Sequence, residues 1–269
     1  MKSNAKGEGD SARPALSFRS IMGKFIQRQE SSIIIVLVVY MIIVSLVNPT
    51  FISGANLFNV LRSTGFTLIT VVGMTFVLIT GGLDLSVGSM LALGGIVTGI
   101  ACRAGLPVPV AVLLGICMGA IIGFLNGFII VRAGIPPLMV TLGMQYAAKG
   151  LVSVLTKGVP IYPLPDGFKA IERLRPLGIP MVVIFALLVA VAGHVILSHT
   201  EFGRSIFALG GNEEAARISG IRTKRTKLLV YVVTSTLAAI VGIFMSARLG
   251  SAEAAAGSGY ELTTICAAV

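Results

Sequence analysis

The chain is 269 residues long, 55% hydrophobic and only 12% charged, with a mean hydropathy of +0.94. Soluble domains carry about 25% charged residues, so an ordinary soluble fold is excluded and a chain buried in lipid is expected. The net charge of +10 does not signal nucleic acid: the basic residues gather in the N-terminal tail, at Arg132 and between Arg204 and Lys227, without interleaved aromatics, which is the pattern of cytoplasmic loops.

Residues 1–30 are polar and rich in Gly, Ser, Pro and Lys. They read as a disordered, basic cytoplasmic tail rather than a signal peptide, because the apolar run starts late and no small-residue cleavage site follows it. Residues 31–269 read as one transmembrane domain. Its apolar runs are 31–48, 57–80, 85–102, 107–131, 137–156, 179–198 and 228–248, with an eighth beginning near 261. A crossing helix needs roughly 20 residues, and no run alternates with period two, so the predicted fold class is all-α: a polytopic helical membrane protein. That is about seven complete spans and the start of an eighth. With the tail inside, Arg62, Arg103 and the loop 157–178 fall outside, and Arg132 and the segment 199–227 fall inside. Pro160, Pro163, Pro165 and Pro176 make the outer loop irregular or confine it to a short helix.

Between the second and third runs, "TGGLDLSVGS" sets Asp84 beside Gly81, Gly82 and Ser86. An aspartate near the bilayer centre costs about 3 kcal/mol. Either Asp84 and Ser86 cap the start of the next helix, or the helix is broken there and its polar end lines a solute path, with Asn126 of the fourth run as a further candidate. In that fourth run Gly115, Gly119, Gly123 and Gly127 recur every four residues, giving one smooth helix face. Such a face serves packing within the chain, a dimer seam or a pore wall. Pro136 and Pro137 open the fifth run, where a missing N–H is harmless. Lys149 inside it either snorkels outward or contacts solute.

The stretch "GGNEEAARISGI" places three charges between two oily runs. Gly210, Gly211 and Asn212 read as a turn and N-cap, Glu213 and Glu214 as a first helical turn suited to the helix dipole, and Ser219 and Gly220 as the stop. A helix of about two turns is not stable alone, so it docks: as an amphipathic connector on the membrane surface, or as a knob fitting a groove on a partner. Arg222, Lys224, Arg225 and Lys227 are expected to hold the loop at the lipid surface.

No phosphate-binding GxxxxGK[ST] loop, GxSxG, HExxH or CxxC is present. His194 and His199 are five apart without a carboxylate, so no metal site is expected. Cys102, Cys117 and Cys266 read as small packing residues. Only Asp84 and Glu261 could serve an ion relay. The chain is therefore not expected to be an enzyme.

Residues 214–220, "EAARISG", fit the EAAxxxG pattern of ABC importer permeases. Taken in order with "GGLDLSVGS", "NGFIIVRAGIPPLMVTLG", "TEFGRSIFALGGNEEAARISGI" and "GSGYELTTICAAV", the chain resembles the ribose/xylose/arabinose class of sugar permeases over residues 33–269. The resemblance implies a permease that passes a monosaccharide from a periplasmic binding protein across the bacterial inner membrane, with an N-terminus in the cytoplasm. It implies a cytoplasmic coupling helix, with Gly211, Asn212, Glu213, Glu214, Ala215, Ala216, Arg217 and Gly220 docking on an ATP-binding cassette ATPase, and a second permease chain enclosing the path. The subunit would need no cofactor, ATP being bound by the partner. The family pattern continues past "YELTTICAAV" with a Gly-rich turn and further helices, so spans after Val269 are expected to be missing. Neighbouring alternatives are a permease for branched-chain amino acids or autoinducer-2, or a secondary transporter working alone.

Overall fold

The computed structural model describes residues 29–269, with side chains from Ile33 onward. The predicted tail of residues 1–30 therefore lies outside the described residues except for Gln29 and Glu30, which open the first helix. Eleven helices follow in order: α1 Gln29–Val47, α2 Gly54–Ile79, α3 Val87–Arg103, α4 Val108–Ala133, α5 Pro137–Thr156, α6 Asp166–Arg173, α7 Met181–His199, α8 Glu201–Gly211, α9 Glu213–Ile218, α10 Thr223–Leu249 and α11 Tyr260–Ala268. The described residues hold one isolated antiparallel bridge, Ile161 with Ala252, and no strand. The fold is all-α.

Five helices, α2, α4, α5, α7 and α10, are long and apolar enough to cross a membrane. The other two runs form shorter apolar helices. One is the hydrophobic part of α1. The other is α3, whose 17 residues extend about 25 Å. The chain divides at Leu57 and Phe58, within α2. In the first unit Asn48 caps a single 3-10 turn at Pro49–Ile52 by accepting from the Thr50 N–H at 3.1 Å, and the Asn56 amide donates to the Phe51 carbonyl at 2.8 Å.

The second unit is built around α4, α10 and α3. The four glycines of α4 are buried, and three of them face α10 directly. A methyl group on Gly119 would lie 2.5 Å from the Ala239 Cβ, one on Gly123 2.6 Å from the Tyr231 carbonyl oxygen, and one on Gly127 2.8 Å from the Leu228 Cα. Gly115 sits at the end of the row against Thr98 and, at 2.8 Å, the Gly94 carbonyl oxygen. The two helices run antiparallel with their backbones nearly touching, which supplies the dispersion contact that lipid cannot. A second apolar cluster, Phe66, Ile69, Leu91, Val182, Ala186, Val241 and Phe244, ties α2 and α7 to α3 and α10.

Two ends of this unit are defined by its loops. At one, Arg62 pairs with Glu172 of α6 at 2.6 Å, both side chains being almost buried. Leu164 and Ile161 donate to the carbonyls of Gly250 and Ala252, and Arg103 shares a cleft with Leu155 to Ile161. At the other end Ile130 to Pro137 share a cleft with Glu213, Lys224 and Lys227. Arg62, Arg103 and the loop 157–178 thus fall at one end of this unit and the loop after Arg132 and the segment 199–227 at the other, the same grouping that counting the apolar runs gives. The proline-rich loop carries only α6 and one 3-10 turn.

Candidate functional site

α2 ends in a Schellman motif. The Gly82 N–H reaches the Val77 carbonyl at 3.1 Å and the Gly81 N–H that of Leu78 at 2.9 Å, with Gly81 at φ +73°, a conformation glycine adopts without strain. The chain then turns back inside the bundle before α3 starts. Asp84 lies in this break with no exposed surface. Its Oδ1 accepts from the Ser86 N–H at 2.9 Å and from the Ser86 hydroxyl at 2.6 Å. The Asn126 amide of α4 donates to the same hydroxyl oxygen at 3.0 Å. The structure therefore brings Asp84, Ser86 and Asn126 into one closed cluster. Ser86 holds the N-cap position of α3 but makes no side-chain cap bond; Asp84 instead holds the Ser86 N–H. Asp84 Oδ2, Asn126 Oδ1 and the Tyr231 hydroxyl are buried without a partner among the described residues. Tyr231 of α10 lies against Gly82, where a methyl group would meet its hydroxyl at 2.5 Å.

A second polar set lies beside the first, and sequence reading missed most of it. Thr141, Gln145, Lys149 and Ser153 follow one another at four-residue spacing on α5. The Thr141 hydroxyl donates to the Leu83 carbonyl at 3.3 Å and accepts from the Leu85 N–H at 3.2 Å, so it bridges the break itself. The backbone carbonyl of Gln145 accepts from the Ser89 hydroxyl at 3.0 Å, and the side-chain amide of Gln145 donates to Glu261 Oε1 at 2.9 Å. Glu261 belongs to α11, reached by a second irregular segment. After α10 the chain packs Ala252 against Gly99 and then Gly257 against the Gly88 carbonyl. Gly99 and Gly88 are eleven residues apart on α3, so this segment descends about 16 Å into the bundle. The second irregular segment meets the first turn of α3 at Gly257 and Gly88, where neither residue has room for a side chain. Above that contact a cleft of ≈ 300 Å³ is lined by Ser89, Lys149, Ser153 and Ser258 among others. The signal available in the sequence was the four-residue polar spacing on α5; Lys149 taken alone concealed it.

The segment 199–227 folds as two short helices. Thr200 caps α8, its hydroxyl accepting from the Gly203 N–H at 3.2 Å. Gly210 and Gly211, expected as a turn, are instead the last residues of α8. The reason is tertiary: Gly210 lies against the Ile79 carbonyl at the end of α2, so closely that a side chain has no room. Asn212 alone makes the corner. It ends α8 and caps α9, accepting from the Ala215 N–H at 2.9 Å. Glu213 and Glu214 occupy the first turn of α9, and a second Schellman motif closes it, with Gly220 at φ +85° and the Ile221 N–H reaching the Ala216 carbonyl at 3.1 Å.

Ala216 points inward and is buried, while Glu214, Ala215, Arg217 and Ile218 face outward, Ile218 at 76% exposure. Arg217 Nε donates to Glu214 Oε2 at 3.0 Å, and this bond holds the Glu214 carboxyl below its ordinary range. Lys227, expected at the lipid surface, pairs with Glu213 at 2.8 Å and fastens α9 to the first turn of α10. Arg222, Lys224 and Arg225 remain exposed. Among the described residues no three His, Cys, Asp or Glu side chains are grouped to hold a metal. Cys102 is buried, whereas Cys117 and Cys266, read as packing residues, are exposed on this chain.

Residues 56–269 match the model of a family described as branched-chain amino acid transport system / permease component. Ribose import permease protein RbsC of Escherichia coli K12 is 40% identical over 247 residues, 89% of this chain and 76% of that protein. Ribose import permease protein RbsC of Bacillus subtilis is 40% identical over 235 residues, covering 87% and 73%. The D-allose transport system permease protein AlsC of Escherichia coli K12 is 33% identical over 220 residues, covering 81% and 68%. No solved structure matches this chain. Seven apolar helices, two breaks buried among them and a capped helix standing out beside basic loops thus accompany a match across most of the sequence, and the chain belongs to this family of transport-system permease components.

Proposed function

We propose that the chain is the membrane-spanning subunit of an ATP-driven importer, and that it carries a ribose-type monosaccharide from a periplasmic binding protein across the bacterial inner membrane. The names of the similar proteins, for ribose and allose import, support the solute class. The observation that carries the mechanism is α9. It is capped at both ends, turns Glu214, Ala215, Arg217 and Ile218 outward, and leaves the bundle on the side that also holds the basic loops. That side is the cytoplasmic one by the charge rule, with the N-terminus on it. α9 is the knob, and a separate cassette ATPase, which binds the ATP, supplies the groove. A second permease chain completes the passage. The subunit itself uses no cofactor and performs no catalysis.

Motion of α9 has two routes inward. Gly210, just before it, presses on the Ile79 carbonyl at the threshold of the break that Asp84 holds. Glu213 pulls on Lys227, one helical turn before Tyr231, which lies against Gly82 on the other side of the same break. A push from the ATPase therefore reaches both walls of one buried element, which is the requirement for switching a packed, bistable interior. Asp84, Ser86 and Asn126 hold the shape of the break.

Glu214→Lys and Gly220→Trp test the docking role. Both variants are expected to insert at normal levels and to lose retention of the ATPase in a pull-down from solubilised membranes. Unchanged retention in both refutes the assignment of α9.

A further inference from the structure

A polar stripe on a membrane helix is costly unless each member finds a partner or an aqueous cavity. On α5 the stripe divides cleanly. The Thr141 and Gln145 side chains are partnered, Thr141 to the Leu83 carbonyl and the Leu85 N–H in the break, Gln145 to Glu261 in the first turn of α11. Lys149 and Ser153 face the cleft with Ser258. Gln145 meets Glu261 just beyond the cleft, four residues before Lys149 on α5 and three residues after Ser258. The second carboxylate oxygen of Glu261 is buried without a partner among the described residues.

We propose that the α5 stripe walls the solute passage, and that the hydrogen bond between Gln145 and Glu261 is a gate opened by an uncharged polyhydroxylated solute. The inference rests on the monosaccharide-importer reading. A sugar hydroxyl both donates and accepts, so one pair of neighbouring hydroxyls can accept from the Gln145 amide and donate to Glu261, replacing their mutual bond without leaving either side chain unpaired. The free Oε2 gives a further acceptor. A carboxylate at this point repels an anionic solute, and the side chain of an apolar amino acid offers it no donor. A cleft of ≈ 300 Å³ lies at the small end of small-molecule sites and suits one sugar ring. Glu261 sits one turn past the contact of Gly257 with Gly88 in the first turn of α3, so displacement of the second irregular segment also separates the pair.

The test is thiol accessibility in the assembled importer, with ATPase and binding protein, in proteoliposomes. Cys102, Cys117 and Cys266 are first replaced by Ala, and a charged, membrane-impermeant methanethiosulfonate is applied from the binding-protein side. Ser153→Cys and Lys149→Cys are expected to react, and Val154→Cys, one position off the stripe, to stay inert. Thr141→Cys, beyond the gate, is expected to be protected, and to react about tenfold faster once Gln145→Ala or Glu261→Ala removes one hydrogen bond. Glu261→Gln keeps an acceptor oxygen and is expected to restore protection, which a merely misfolded chain would not do. Equal reactivity at 153 and 154, or no effect of the gate variants at 141, overturns the passage and the gate. D-ribose with its binding protein is expected to slow modification at 153 where L-leucine does not. A reactive stripe protected by L-leucine instead, or by neither, overturns the polyol assignment while leaving the passage in place.

Discussion

The break around Asp84 and the connection around Glu214 solve the same problem, acidic residues in an oily chain, in opposite ways. Asp84 is sealed from solvent and satisfied at one oxygen by a single neighbour, Ser86, which Asn126 then fixes to α4. Glu214 is exposed and paired with a base one turn away on its own helix. In the bilayer each hydrogen bond decides backbone geometry, because no water replaces a lost one. At the surface the ion pair contributes little to stability and leaves the charge available to a partner. The buried site therefore holds shape, and the exposed one offers contact.

That contrast is sharpened by substitutions graded in effect. Gly123→Leu drives a side chain into the backbone of α10 and should lower stability by about 3 kcal/mol, read as a fall in Tm in detergent. Asp84→Ala strands the Ser86 N–H and hydroxyl inside the bundle and should cost about 2 kcal/mol in the same assay. Asp84→Asn retains an acceptor, so it should insert normally and yet alter transport; normal transport with poor expression would reduce Asp84 to a cap. Asn212→Ala removes the side-chain cap of α9, leaves the backbone bond that ends α8, and should cost about 1 kcal/mol, with reduced ATPase retention as its main consequence.

The smallest effect is that of pH. Arg217 lowers the Glu214 pKa in the folded chain. A depressed carboxylate contributes above its unfolded pKa and loses that contribution only as pH falls through the lower, folded value. ATPase retention should therefore hold from neutral pH down to about the ordinary glutamate value of 4.3 and weaken only below it. A midpoint near neutrality would show that Glu214 is not the group being read.

Legibility in the sequence followed the range of the interactions. The apolar runs, the two-sided sorting of the basic loops, the proline start of α5 and the caps of α9 are local patterns, and each appears where the letters placed it. Gly210 and Gly211 read as a turn because glycine and asparagine together signal one, yet Gly210 continues α8 so that the helix end can seat against Ile79. Lys149 was visible only as an isolated charge until Gln145 was found bonded to Glu261, 116 positions away.

By itself the sequence determined that this chain is a bundle of lipid-spanning helices with a short capped helix beside its basic loops, since hydropathy, charge sorting and helix capping are set by neighbours within a turn or two. The tertiary structure alone decided that the glycine face of α4 meets α10, that Asn126 closes on Ser86, and that the segment after α10 touches the first turn of α3 at Gly257 and Gly88. These are matters of which helix lies next to which. In a membrane the pairing follows from close steric fit and from satisfying the few buried polar groups, and neither quantity exists until the helices are brought together.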